Sequence, residues 1–95
     1  MIAIDTDRIV QSFLALVQID SVTYEERAIT ERLAMELDEL GLPSTNDRTG
    51  REGAGNLHAR FRGSRPELPP IMLCAHTDTV EPGRGVKPVL RDGVI

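Results

Sequence analysis

The sequence predicts an α/β layered domain, and three observations carry that expectation. Two stretches in the first half repeat apolar residues at helical spacing, Asn56–Arg62 alternates apolar and polar residues, and Ile71–His76 is an apolar run that closes on a histidine. A continuous apolar run fits a strand covered on both faces, and helices beside such a strand give a layered arrangement.

The first element is an amphipathic helix expected from about Asp7 to Ile19. Ile9, Val10, Phe13, Leu14, Leu16 and Val17 recur near the 3.6-residue period, and Thr6 or Asp5 can cap its start. A break at Asp20-Ser21-Val22 follows. Thr23-Tyr24-Glu25-Glu26 then has the form of a capping box, with Thr23 as the cap and Glu26 reaching back from three residues on. Glu25 and Glu26 also suit the positive end of a helix dipole. Ile29, Leu33, Leu37 and Leu40 draw one apolar stripe, and Gly41 supplies the left-handed turn that ends the helix.

After Pro43 the pattern turns from helical to extended. Asn46–Gly55, rich in Gly, Asn, Asp and Thr, reads as a loop, and Asn56–Arg62 as a half-buried strand with Leu57, Ala59 and Phe61 on one face. Three prolines keep Gly63–Pro70 out of regular structure. The expected buried strand Ile71–His76 is followed by a loop over Thr77–Gly85 and an extended Val86–Leu90, and Asp92-Gly93 is a hairpin-turn signal.

Composition narrows the function classes. The chain has 95 residues, 40% hydrophobic and 27% charged, which is the balance of a globular chain rather than a disordered one. No apolar run exceeds five residues, against the about 20 that a membrane span needs. The start of the chain lacks a basic, apolar leader, so a cytoplasmic location is expected. A single cysteine, Cys74, excludes an internal disulfide framework. Residues 1–47 carry a net charge of −7 and residues 48–95 a net +3. The later arginines are scattered and few aromatics accompany them, so no nucleic-acid partner is expected.

Chemistry is expected at the end of the buried strand, because ligands in open α/β sheets bind beyond the carboxyl ends of the strands. His76 and Asp78 stand there two residues apart, so an extended backbone directs both to one side. The histidine can offer a ring nitrogen to a metal while the carboxylate holds the ring. Spacing alone equally allows two residues that satisfy loop hydrogen bonds. His58, beside Arg60 and Arg62 on the polar face of its strand, reads as a solvent-exposed histidine, and Cys74 as a small core residue. Gly83-Arg84-Gly85 reads as a turn.

Leu73-Cys74-Ala75-His76-Thr77-Asp78-Thr79-Val80, followed by Pro82-Gly83-Arg84-Gly85-Val86-Lys87-Pro88 and Arg91-Asp92-Gly93-Val94-Ile95, resembles the first metal-site motif of the co-catalytic zinc exopeptidases. That family includes aminoacylase, carboxypeptidase G and tripeptide aminopeptidase, and the resemblance is nearest to the peptidase T-like branch. It extends to Phe13-x-x-Leu16-Val17-x-Ile19-x-Ser21, Glu36-Leu37-x-x-Leu40-Gly41 and Gly55-Asn56-Leu57-x-Ala59. The resemblance implies a three-layer α/β sandwich of which residues 1–95 are the N-terminal part of the catalytic, metal-binding domain, without the lid and dimerisation domain. It implies His76 as a ligand to one of two zinc ions, and Asp78 as a catalytic residue that orients the histidine ligands. The implied partner is a short peptide, hydrolysed near a free terminus by a metal-activated water, with a homodimer of the full-length protein.

In the family, the bridging aspartate, the two adjacent glutamates, a further acidic ligand and a final histidine come later in the chain than anything in this sequence. With one assigned zinc ligand, residues 1–95 alone are expected to be inactive. Two other functions fit the same residues: an acyl-amino-acid or carboxypeptidase-type hydrolase of the same family, and a standalone non-catalytic interaction module.

Overall fold

The computed structural model describes residues 2–95. The first helix, α1, runs Thr6–Leu16, and Asp5 is its cap, the carboxylate accepting from the Arg8 N–H at 2.9 Å. It stops short of the expected Ile19. The Ile19 N–H turns back onto the Leu16 carbonyl at 3.0 Å, a tighter bond than the helical ladder allows, and the chain leaves the helix there. The apolar stripe of α1 is only half covered, with Ile9 and Phe13 exposed.

The second helix, α2, runs Arg27–Glu39, and here the expected capping box is not formed. Glu26 occupies the cap position, and its carboxylate accepts from the Tyr24 N–H at 2.9 Å instead of reaching Thr23. Tyr24 takes a left-handed backbone, φ 76°, which turns the chain into the helix. Thr23 is engaged elsewhere, as described below. At the other end the sequence expectation holds. Gly41 sits at φ +72°, its N–H bonds the Asp38 carbonyl at 2.9 Å, and the Leu42 N–H bonds the Leu37 carbonyl at 2.8 Å. Those two bonds are a Schellman closure, which needs the left-handed conformation that glycine adopts without strain.

Strand β1, Ser44–Asn46, pairs antiparallel with β2, Leu57–Ala59, with Thr45 opposite His58. The expected strand Asn56–Arg62 is therefore shorter, because its partner offers only three residues. The connection contains a 3-10 turn at Arg51–Gly53 and is knotted by Asp47. One Asp47 oxygen accepts from the Asn56 N–H at 2.9 Å, the Thr49 hydroxyl at 2.8 Å and the Thr49 N–H at 3.1 Å, and the other accepts from the Asn56 amide at 2.9 Å. Gly55 is required here, since a Cβ would run into the Asp47 carboxylate and the Arg48 N–H. These bonds, the Asn56 side chain foremost, hold the Asp47 carboxyl well below the usual carboxylate range. A carboxyl with a lowered folded-state pKa lends stability above its unfolded value, near 4, and loses it as the pH falls through the folded value. The loop should therefore keep the Asn56 amide protected at pH 4 and lose that protection only in stronger acid, whereas Asp47→Ala, which has no acceptor for the Asn56 N–H, should lack it at every pH. Equal protection in the two proteins would remove Asp47 from this role.

The small core gathers Ser21, Val22, Ile29, Thr30 and Ala54, where the segment after α1 meets the start of α2 and the turn before β2. Both strands and the 3-10 turn pack on α2. Helices and a sheet are thus both present, but the sheet is a two-stranded antiparallel pair. The expected central strand Ile71–His76 is not formed. Ile71, Met72 and Leu73 are 90%, 86% and 92% exposed, and Cys74, expected in the core, is exposed too. A strand is defined by its ladder, and among the described residues no neighbour bonds this segment. Val86–Leu90 likewise forms no ladder. Asp92 and Gly93 do make the expected turn, at φ 51° and 76°, with Arg91 and Val94 exchanging two backbone bonds of 2.9 Å. The radius of gyration, 15.5 Å, exceeds the about 12 Å of a compact chain this long, in keeping with the uncovered second half. Among the described residues no helix is long and apolar enough to cross a membrane.

Candidate functional site

Val22 opens the turn that leads to α2, with the Glu25 N–H on its carbonyl at 2.8 Å, and the chain returns to it 57 residues later. Val22 and Thr79 form a parallel bridge, in which the Thr79 N–H donates to the Ser21 carbonyl at 2.9 Å and the Thr23 N–H donates to the Thr79 carbonyl at 3.3 Å. Ser21 and Val22 are buried, so one side of the bridge belongs to the core and fixes the other.

Asp78 stands next to the bridge, and both of its carboxylate oxygens have partners. The Thr23 hydroxyl donates to Oδ2 at 2.7 Å, and Oδ1 lies 3.1 Å from His76 Nδ1. The same ring nitrogen lies 2.9 Å from the Asp78 backbone carbonyl. Two acceptors facing one imidazole nitrogen require that nitrogen to carry the proton, which leaves the lone pair on Nε2. The His76 side chain is 86% exposed, so Nε2 is presented outward. The Thr23 hydrogen bond first, and His76 after it, lower the Asp78 pKa against the opposing effect of desolvation, and the carboxylate stays ionised.

The far end of the loop is tied down separately. Arg84 grips Glu25 with both terminal nitrogens, at 2.7 and 2.9 Å, and its Nε donates to Glu81 at 2.7 Å. The Gly85 N–H donates to the Asp20 carboxylate at 2.7 Å. The Glu25 carboxylate first, and Glu81 after it, raise the Arg84 pKa, and the Arg84 guanidinium lowers that of Glu25. Loop 77–85 is thereby held to the α1–α2 connection at Asp78, Thr79, Arg84 and Gly85. On the other side of that connection, the Arg51 guanidinium lies 4.5 Å above the Tyr24 ring.

The structure thus brings His76 and Asp78 together, as their spacing suggests, and adds Thr23, which the capping-box pattern places at a helix start. Glu25 likewise serves Arg84 rather than the helix end. The one sequence signal for such pairings is the charge split, acids early and bases late, which cross-chain ion pairs satisfy. His58 is exposed on β2, with Nε2 3.6 Å from Asp47, and stands apart from the His76 contacts. Among the described residues no three His, Cys, Asp or Glu side chains converge to hold a metal. His76 presents Nε2 outward, but among the described residues no three ligating side chains gather around it, so these residues do not complete a zinc site by themselves.

No family model matches the chain, and no solved structure matches it. The chain is 40% identical over 96 residues to a Bacillus subtilis (strain 168) protein described as "Uncharacterized protein YqjE". The match takes in 97% of this chain and 25% of that protein, so the chain spans about a quarter of the length of the curated relative it matches.

Proposed function

We propose that this chain is the N-terminal part of the catalytic domain of a zinc-dependent exopeptidase of the tripeptide aminopeptidase type, to which it contributes one metal ligand and the carboxylate that orients it. The observation that carries this reading is the arrangement of His76, whose Nδ1 is held by Asp78 while Nε2 faces outward. Metal-ligating histidines characteristically donate their second nitrogen to a carboxylate or a backbone carbonyl, and His76 faces both. The motif around residues 73–95 supports the same reading, and so does the length relation, since the matched relative is about four times as long as the match and has length for the further ligands and general base that the reading requires. Zinc, bound by His76 and those further ligands, would supply an activated water for peptide hydrolysis. Asp78 and Thr23 keep one imidazole nitrogen protonated and the other available.

The test uses two proteins. The 95-residue chain alone should bind zinc more weakly than about 1 μM by calorimetry, because one imidazole is far from a complete ligand set. A chimera carrying residues 1–95 in place of the matching quarter of the Bacillus protein should retain zinc through dialysis and hydrolyse tripeptides with a free amino terminus. A folded chimera that hydrolyses acyl-amino acids but not tripeptides would overturn the reading in favour of the acyl-amino-acid hydrolase, and one without any metal-dependent hydrolysis would favour a non-catalytic interaction module.

A further inference from the structure

We propose that Thr23 is a positioning residue for the His76 imidazole, acting through Asp78; the functional weight of this rests on the reading of His76 as a metal ligand. A carboxylate that holds a ring nitrogen on one oxygen is free to rotate about its own axis unless its second oxygen is fixed. The Thr23 hydroxyl fixes it, at 2.7 Å from Oδ2, a short bond to an ionised acceptor. The Asp78 plane is then set, and Oδ1 is left for His76 Nδ1.

The anchor is itself well held. The Thr23 N–H bonds the Thr79 carbonyl, and the two preceding residues are buried in the core. Its branched Cβ restricts the hydroxyl to few directions. A helix-capping role does not compete, because α2 begins at Arg27 and Glu26 holds the cap position. The staples at Arg84 and Gly85 hold the loop's far end but touch neither Asp78 nor His76, so the carboxylate orientation is left to Thr23.

The test is ring-nitrogen NMR of the 95-residue chain, titrated with zinc ions alone. The expected result is a neutral His76 ring that carries its proton on Nδ1, and a zinc response at Nε2. Thr23→Val, similar in shape but without a donor, should leave Nδ1 with the Asp78 backbone carbonyl as its one fixed acceptor, shift the tautomer balance part-way toward Nε2–H, and weaken the zinc response by about tenfold, at the low end for loss of an outer hydrogen bond. Thr23→Ser should keep both features. In the Asp78→Asn background, Thr23→Val should change nothing further, since the two residues act in series. Amide shifts of Ile29 and Thr30 report whether each variant keeps the core. Wild-type tautomer and zinc response in Thr23→Val would overturn the proposal, as would a full additional loss in the double variant. If Thr23→Val loses the core, the double-variant comparison passes to Thr23→Ala. A wild-type ring that ignores zinc would count against the metal-ligand reading alone, because the tautomer comparison still decides the role of Thr23.

Discussion

His76→Ala, introduced into the chimera with the Bacillus protein, will lower tripeptide hydrolysis by at least about a hundredfold and release zinc on dialysis. Outer partners of metal ligands are commonly worth 10- to 100-fold, so loss of a ligand belongs at or beyond the top of that range. The expectation follows from the exposure of the His76 side chain, which presents Nε2 outward. Asp78→Asn should fall in the middle, with a ten- to hundredfold loss of kcat/KM. Its amide keeps the shape of the carboxylate but cannot satisfy both donors, the Thr23 hydroxyl and His76 Nδ1–H, as the ionised group does. The ordering is the informative part. A fully active, zinc-replete His76→Ala chimera would show that the imbalance between engaged Nδ1 and free Nε2 serves only the loop.

Ser substitutions at Ile71, Met72 and Leu73 together will turn a self-associating 95-residue chain into a monomer. The three side chains are adjacent and almost wholly exposed. Each gains about 1.5–3 kcal/mol when fully buried, so cover of all three in both copies is of the size of the about 4–15 kcal/mol that association costs. The unpaired backbone of the run adds free donors and acceptors, as an open strand edge does. Sedimentation across a concentration series reads the result directly. The unfolding of the α2 and β1–β2 core should be unchanged in the variant, since its buried residues lie between Ser21 and Ala54. A wild-type chain that sediments as a monomer throughout would contradict the expectation.

The apolar run Ile71–His76 has the pattern of a central strand and lies exposed instead. Periodicity and composition report which face a segment would bury if it were paired, and Ile71–His76 has the composition of a central strand. Whether it becomes one depends on a neighbour that bonds it, and no described segment does so. The strand at Leu57–Ala59 forms because Ser44–Asn46 lies ten or so residues away and a knotted loop joins the two. Pattern alone does not separate those two cases.

Chain-local features were legible because their causes lie within a few residues. The two helices, the Gly41 closure and the Asp92-Gly93 turn all follow from dihedral preference and short-range hydrogen bonds. The pairing of His76 with Asp78 was legible for the same reason, since two residues of an extended loop share one side. Thr23 was not, because a threonine ahead of a helix reads as a cap whichever acceptor it meets, and its acceptor is Asp78, 55 positions away. The same holds for Arg84 and Glu25, 59 positions apart. The sequence by itself determined the local elements and the pair that could do chemistry. Tertiary structure alone decided that the α1–α2 connection, through Thr23, Glu25 and Asp20, is the wall against which that pair is held, because only folding brings hydrogen-bond partners so distant in the chain within 3 Å.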